Sequence, residues 1–440
     1  MNKPLVRQLD SDGATRITEF SVGSIACQSM SYFPHMTKQS ELRMLRALKG
    51  RFALEGIEGG VLDLPIASRA FEAASPSWSG TGQTQQTLEG KLARDALTEF
   101  KSRSLLIPNP RIEFFYSYKK DLDELLTVGY SEIEEVDDYL SEYNMRLDGD
   151  SEKSQSHSQK IRRAVHHELF FSDDEARLRR RDSMLAKIMK MENALGFPFA
   201  VPACPVIDAH AYQQTAGEDI NDKCQATAYS LGMPCATYFI YTKKALKSPE
   251  IMDKFFEYVI KGKERYRLII VNFHELDLHS PPDIRARTSF KNFTKRIREL
   301  KQLHDGWEFM LMGAGNQAFI ALESFDFVST SFTGIDKIIT WSEGRKLGYW
   351  YNERLMLPIP PEDRGIIDRR HCPSCEVVTD EDFTSQRRLS VRRKEHRIHE
   401  MDKRSREYRQ AVGSKSVGVY IRQALMVSEF SGFQMMIHSV

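Results

Sequence analysis

No stretch of the chain carries the run of about 18 apolar residues that a membrane-spanning helix needs. The opening residues, MNKPLVRQLDSDGATR, lack the apolar core of a secretory signal. The expectation is a cytoplasmic protein with no membrane partner. Cysteine is also scarce: six in 440 residues are too few for a disulfide framework. Cys27, Cys204, Cys224 and Cys235 stand singly in apolar or mixed surroundings and read as reduced core thiols. An excess of one charge is missing as well, with 62 Lys and Arg against 61 Asp and Glu and a net charge of +1. Any attraction for nucleic acid must therefore come from a local patch. No internal repeat at a fixed period is present.

What remains is an ordinary globular composition, 41% hydrophobic and 28% charged, in a chain longer than one simple core usually supports. Short β-branched and aromatic runs recur at Ser21 to Gln28, Gly59 to Pro65, Arg111 to Tyr118, Phe197 to Val206, Cys235 to Tyr241, Arg267 to His274, Glu308 to Gly315 and Phe325 to Phe332. RLIIVNF and EFMLMG are almost continuously apolar, as strands buried on both faces of a parallel sheet are. Between the runs, SELRMLRALKGRFALEG, SPEIMDKFFEYVIKGKE and FKNFTKRIRELKQLHDG place apolar residues three to four apart and end near a Gly. Alternating β and α segments with about eight strands predict an α/β fold, first a (β/α)8 TIM-type barrel and second an open doubly wound sheet.

The alternation breaks over 119–196, where an acidic helical stretch (SEIEEVDDYLSEYNM), a Ser-rich stretch (SEKSQSHSQK) and a basic helical stretch follow one another. This predicts an inserted helical segment with a flexible middle. The expected organisation is a first part of the barrel over 1–118, the insertion over 119–196, a second part of the barrel over 197–350, and a zinc-binding, basic helical C-terminal subdomain over 351–440.

The last assignment rests on Cys372 and Cys375 in C-x-x-C spacing, followed by His396 and His399 three apart on one helical face. Thiolate and imidazole donors at that spacing suit a structural zinc ion. His371 beside the knuckle leaves open which two histidines bind. The alternative is a surface turn followed by a solvated helix. The same helix carries Arg392, Arg393 and Arg397 in a dense basic run that could neutralise phosphates without regard to sequence; its charges could equally pair with the neighbouring Glu and Asp.

Upstream stand EFMLMGAGNQAFIALESFDFVSTSF and then LGYWYNERLMLPIPPED before the cysteines. This order resembles the tRNA-guanine transglycosylase superfamily, including its DNA-modifying 7-deazaguanine branch, mainly over residues 308–400. Leu311, Met312, Gly313 and Gly315 match the family's LMG-x-G motif, and Phe325 and Asp326 open the strand that in the family carries a catalytic carboxylate. Cys372, Cys375 and His399 match its zinc end. The resemblance implies exchange of guanine for a 7-deazaguanine base in tRNA or DNA, with structural zinc as the only cofactor.

Two departures accompany it. Arg370 stands where the family has a third cysteine, and VSTSF puts Ser329, Thr330 and Ser331 where its strand-tip Asp lies. The catalytic candidates are therefore Asp63, in GGVLDLPIAS, with Asp326 and Ser329. Gly313, Gly315 and Asn316 would let a flat heterocycle approach the backbone, and Tyr116, Tyr118 and Tyr241 are candidate stacking rings. A second constellation, Asp208 and His210 in VIDAHAY with His274 in NFHELDLH, lies at predicted strand ends. Asp208 and His274 are counted as substrate-binding candidates. Tyr212 replaces the second histidine that a metal-dependent barrel hydrolase would need there. Three readings follow: a transglycosylase-like enzyme, a non-catalytic nucleic-acid-binding relative acting with a partner subunit, and a metal-dependent barrel hydrolase.

Overall fold

The computed structural model describes residues 4–12, 15–51, 54–72, 95–117, 126–127, 129–149, 154–262, 265, 267–274, 284–304, 306–313, 321–322, 324–331, 350–352, 357–359 and 386–413. In chain order the elements used below are β1 Leu5–Asp12, β2 Thr15–Val22, β3 Ile25–Gln28, β4 Ser31–Met36, α1 Gln39–Arg51, β5 Gly59–Asp63, α2 Leu64–Glu72, β6 Leu105–Asn109 and α3 Glu113–Tyr116. The chain continues with α4 Glu134–Asp148, α5 Gln155–Phe171, α6 Glu175–Ala194, β7 Val206–Ile207, α7 Ala211–Ser230, β8 Thr237–Thr242, α8 Lys243–Leu246, α9 Pro249–Lys261 and β9 Leu268–His274. Then come α10 Ile284–Leu303, β10 Glu308–Met312, β11 Phe327–Ser331, β12 Trp350–Asn352, β13 Leu357–Ile359 and α11 Gln386–Gly413.

Eight strands form a sheet in the order β6-β5-β4-β11-β10-β9-β8-β7. Registers from β7 to β8, β8 to β9, β10 to β11 and β11 to β4 are all parallel. Successive strands are neighbours from β4 to β6 and from β7 to β11, as repeated βα units produce, and β4 and β11 join the two runs. The fold is thus mixed α/β around an eight-stranded sheet, and β4, β5, β6, β8, β9 and β10 are buried along their whole length. That continuous burial explains why several strands read as unbroken apolar runs rather than as alternation.

Two local expectations need correction, and two strands absent from the expected set are present. Arg111 to Tyr118 is not a strand: β6 precedes it, Arg111 takes a left-handed φ of 57°, and the aromatic run forms the single buried turn α3. Ser31–Met36 and Leu105–Asn109 are strands although each contains a proline, Pro34 or Pro108, that argues against a strand on sequence. The Ser-rich stretch caps a helix, for Ser154 accepts a bond from the His157 amide at 3.2 Å and starts α5.

The chain divides into two compact units. In the first, Val61–His274 with Met1–Pro4 and Thr37–Arg43, the two faces of β8 separate cleanly. Phe239 and Tyr241 stack on each other and meet Phe255 of α9 edge-on, so they face the helices. Tyr238, on the opposite face, accepts a bond from Asn272 of β9.

The second unit is Leu5–Met36, Met44–Gly60 and Glu275–Val440. In it β1, β2 and β3 form an antiparallel sheet. α11 packs on β1, β2, β4 and β12. Ser405 Oγ accepts from the Tyr32 amide at 3.0 Å, and Asp402 Oδ1 accepts from the Gly56 amide at 2.7 Å. A side chain at Gly56 would meet the Asp402 carbonyl and Ser405 Cβ, so glycine there permits this close approach. Arg409 extends the anchorage to Gln28 and Ser29 carbonyls and pairs with Glu58 at 2.7 Å.

Candidate functional site

Within the first unit, β5, β6, β8 and β9 end on Asp63, Asn109, Thr242 and His274, and Asp208 follows β7 directly. Carboxyl ends of parallel strands are where barrel and doubly wound folds gather their functional groups. Asp63 is buried and accepts a bond from Asn109 Nδ2 at 3.2 Å, while Arg111 Nε lies 3.3 Å from its other oxygen. Arg111 Nη1 lies 3.1 Å from Glu113 Oε1, so one guanidinium contacts two buried carboxylates. The same guanidinium sits 4.0 Å above the Phe114 ring.

The left-handed backbone of Arg111 is uncommon for a bulky residue and costs on the order of 1 kcal/mol. It is over-determined here: its amide donates to Asn109 Oδ1 at 3.2 Å, and its side chain is fixed by two carboxylates and a ring. The chain turns sharply at this point, which brings Glu113 back beside Asp63. Asp63 and Glu113 therefore meet on one guanidinium, an arrangement of paired carboxyl groups such as glycosyl chemistry uses.

His274 closes the group from β9. Its Nε2 lies 3.1 Å from Ser117 Oγ, and its ring meets Tyr116 edge-on at 5.4 Å. Burial, with Arg163 and Arg111 nearby, lowers its pKa to about 3, so it is a neutral imidazole at pH 7. It can exchange hydrogen bonds with a ligand but is too weak a base to hold a proton. Tyr238 is also held neutral, its pKa raised well above the usual value by burial and then by Glu113.

The inserted helices hold the turn that carries these groups. Tyr130 donates to the Pro110 carbonyl, Arg162 to Phe114, Tyr139 to Phe115 and Gln159, at 2.7 Å, to Tyr116. Four carbonyls between positions 110 and 116 are thus bound by side chains from beyond the turn. Tyr130, Tyr139, Gln159 and Arg162 position the site rather than decorate it.

At the rim, Asp208 accepts from Thr242 Oγ1 at 2.7 Å and lies 3.7 Å from Lys244 Nζ. His210 and Tyr212 stack beside it. Asp208, His210 and His274 engage different partners. Among the described residues no group of three His, Cys, Asp or Glu side chains is gathered as a metal would require.

The remaining sequence candidates are placed as follows. Asp326 precedes β11, at its amino end; it is fully buried, 2.6 Å from Lys301 Nζ, and accepts from the Phe309 amide at 2.8 Å. Ser329 lies buried in the middle of β11, opposite Phe33 of β4. Gly313 follows β10 with a φ of 67°, a conformation that favours glycine. Tyr241 faces α9 and donates to Gln214, whereas Tyr116 meets His166 and His274.

Gly315, Asn316, Tyr118, Cys372 and Cys375 lie outside the described residues. Arg392, Arg393, His396 and Arg397 are carried by α11, their side chains outside the described ones, and His399 is buried on that helix. Sequence reasoning missed Asn109, Arg111, Glu113, Ser117, Tyr238 and Asn272. The available signal was N-P-R-I-E directly after the run LLIP, which Pro108 disguised.

No protein-family model matches the chain, and no curated protein matches it.

Proposed function

We propose that the chain is a transglycosylase-like enzyme that exchanges a guanine-type base in tRNA or DNA, working from the carboxyl ends of a closed (β/α)8 barrel. The observation that carries this reading is the pair of buried carboxylates, Asp63 and Glu113, held on the single guanidinium of Arg111. Breaking and remaking a glycosidic bond needs one carboxylate at the anomeric carbon and another to govern protons on the departing and arriving bases. Asp63 takes the first role, since it closes β5 and Asn109 and Arg111 hold its two oxygens in place. Glu113 takes the second. Neutral donors and acceptors on His274, Asn272 and Tyr238 suit a flat, uncharged heterocycle.

Zinc belongs to the proposal through the chemistry of its donors: Cys372, Cys375, His396 and His399 would hold a structural ion, with no part in the reaction. Elemental analysis should find about one zinc per chain, lost with Cys372→Ser. Cytoplasmic nucleic acid is the proposed partner, approached by Arg392, Arg393 and Arg397.

The test is incorporation of labelled guanine into tRNA and into DNA by the intact protein, abolished by Asp63→Asn. No incorporation into either would remove the enzymatic reading. A second reading, a non-catalytic nucleic-acid-binding relative that serves a partner subunit, is favoured by one observation. Asp326, the carboxylate nearest the expected strand tip, is tied to Lys301 at the opposite end of β11. That reading predicts salt-sensitive binding without exchange.

A further inference from the structure

The rim beside Asp208 carries a ring pair that the proposed chemistry leaves unused. His210 and Tyr212 are stacked with centroids 5.6 Å apart and planes 18° from parallel. Tyr212 is fixed further by edge contacts to His167 and Phe171 and by a hydrogen bond between its hydroxyl and His167 Nε2. Side chains held by so many neighbours usually lie inside a protein, yet Tyr212 is 49% exposed and His210 is exposed as well. The ordering entropy of these rings is therefore already lost before any ligand arrives.

The surroundings indicate what would add to the stack. The pair follows β7, two and four residues beyond Asp208, whose partner Thr242 caps α8. α8 opens with Lys243 and Lys244, and the Lys244 side chain is 72% exposed. A flat aromatic surface beside cations, at the end of the sheet that holds the candidate site, matches a base on a phosphate backbone better than an apolar protein segment.

We propose that the His210–Tyr212 pair is a platform on which an unpaired nucleobase of single-stranded nucleic acid stacks. The proposal rests on the nucleic-acid reading above and names a surface that reading does not supply. A base extruded from its strand, or its neighbour, would lie across the exposed rings while the lysines of α8 meet the adjoining phosphates.

The experiment uses the full chain and short single-stranded DNA and RNA oligonucleotides containing 2-aminopurine, whose fluorescence is quenched on stacking. Quenching on binding to the unaltered protein is expected, and Tyr212→Ala should remove it and weaken affinity roughly five- to 100-fold, the range for one stacked base. Tyr212→Phe keeps the ring and should restore quenching. Tyr229→Ala, an exposed tyrosine at the far end of α7, should change nothing. Binding that is unaffected by Tyr212→Ala overturns the platform and leaves the nucleic-acid reading intact. Absence of binding to either oligonucleotide overturns both.

Discussion

Replacing Asp326 separates a structural from a catalytic carboxylate, and the size of the effect follows from its surroundings. Asp326 and Lys301 are both buried and 2.6 Å apart. Removing one partner leaves the other charge without its counter-ion in a low-dielectric interior, which costs about 3–5 kcal/mol. Asp326→Asn keeps an oxygen for the Phe309 amide, so its cost belongs near the lower end. Glu308 moderates it further: burial and then Asp326 raise its carboxyl well above the usual range, and loss of Asp326 lets Glu308 ionise towards Lys301.

We expect about 3 kcal/mol for Asp326→Asn and about 1 kcal/mol more for Asp326→Leu, which also loses the amide bond. Lys301→Met combined with Asp326→Asn should recover much of the loss, because neither charge remains. Urea unfolding of the parent, Asp326→Asn, Lys301→Met and the double variant, followed by tryptophan fluorescence from Trp307 in this cluster, measures the cycle, with Asp326→Leu measured alongside. Additive costs with no coupling, or an Asp326→Asn protein as stable as the parent, would refute the structural assignment.

Further outcomes are expected elsewhere. The folded pKa of His274, about 3 against 6.5, means that between these values the unfolded chain binds more protons. Stability is then fully present above about pH 6.5 and falls as pH drops through the window, by up to ~1.4 kcal/mol per pH unit, with less fall in His274→Gln. Urea midpoints measured against pH check this, and His166, lowered for the same reason of burial, contributes with the same sign. Gly56→Ala should destabilise the docking of α11 by about 1–3 kcal/mol through contact with Asp402 and Ser405, seen as faster amide exchange along α11. Gln159→Leu frees the Tyr116 carbonyl; it should cost about 1 kcal/mol of stability yet lower kcat for base exchange more than it changes KM.

The alternation of strands and helices was readable because buried parallel strands are apolar on both faces, as in β8 and β9. β4 and β6 were hidden by Pro34 and Pro108, and the aromatic run after β6 looked like a strand because aromatics favour both strands and buried turns. Asp63, Asp208 and His274 could be placed at strand ends from sequence, since each closes an apolar run. Arg111 and Glu113 could not: their meeting with Asp63 depends on a left-handed turn at a non-glycine residue, which no local preference announces. Asp326 illustrates the opposite failure. A motif fixed its position beside β11 but not the end of the strand at which its carboxylate is used, and that was decided by Lys301 from α10.

The most direct measurement compares labelled-guanine exchange by Asp63→Asn and Asp326→Asn, each rate expressed per folded molecule. The account predicts at least about a 100-fold loss for Asp63→Asn, because an amide cannot replace the carboxylate at the anomeric carbon, and a rate within a few-fold of the parent for Asp326→Asn. Exchange that survives Asp63→Asn and disappears with Asp326→Asn would contradict it.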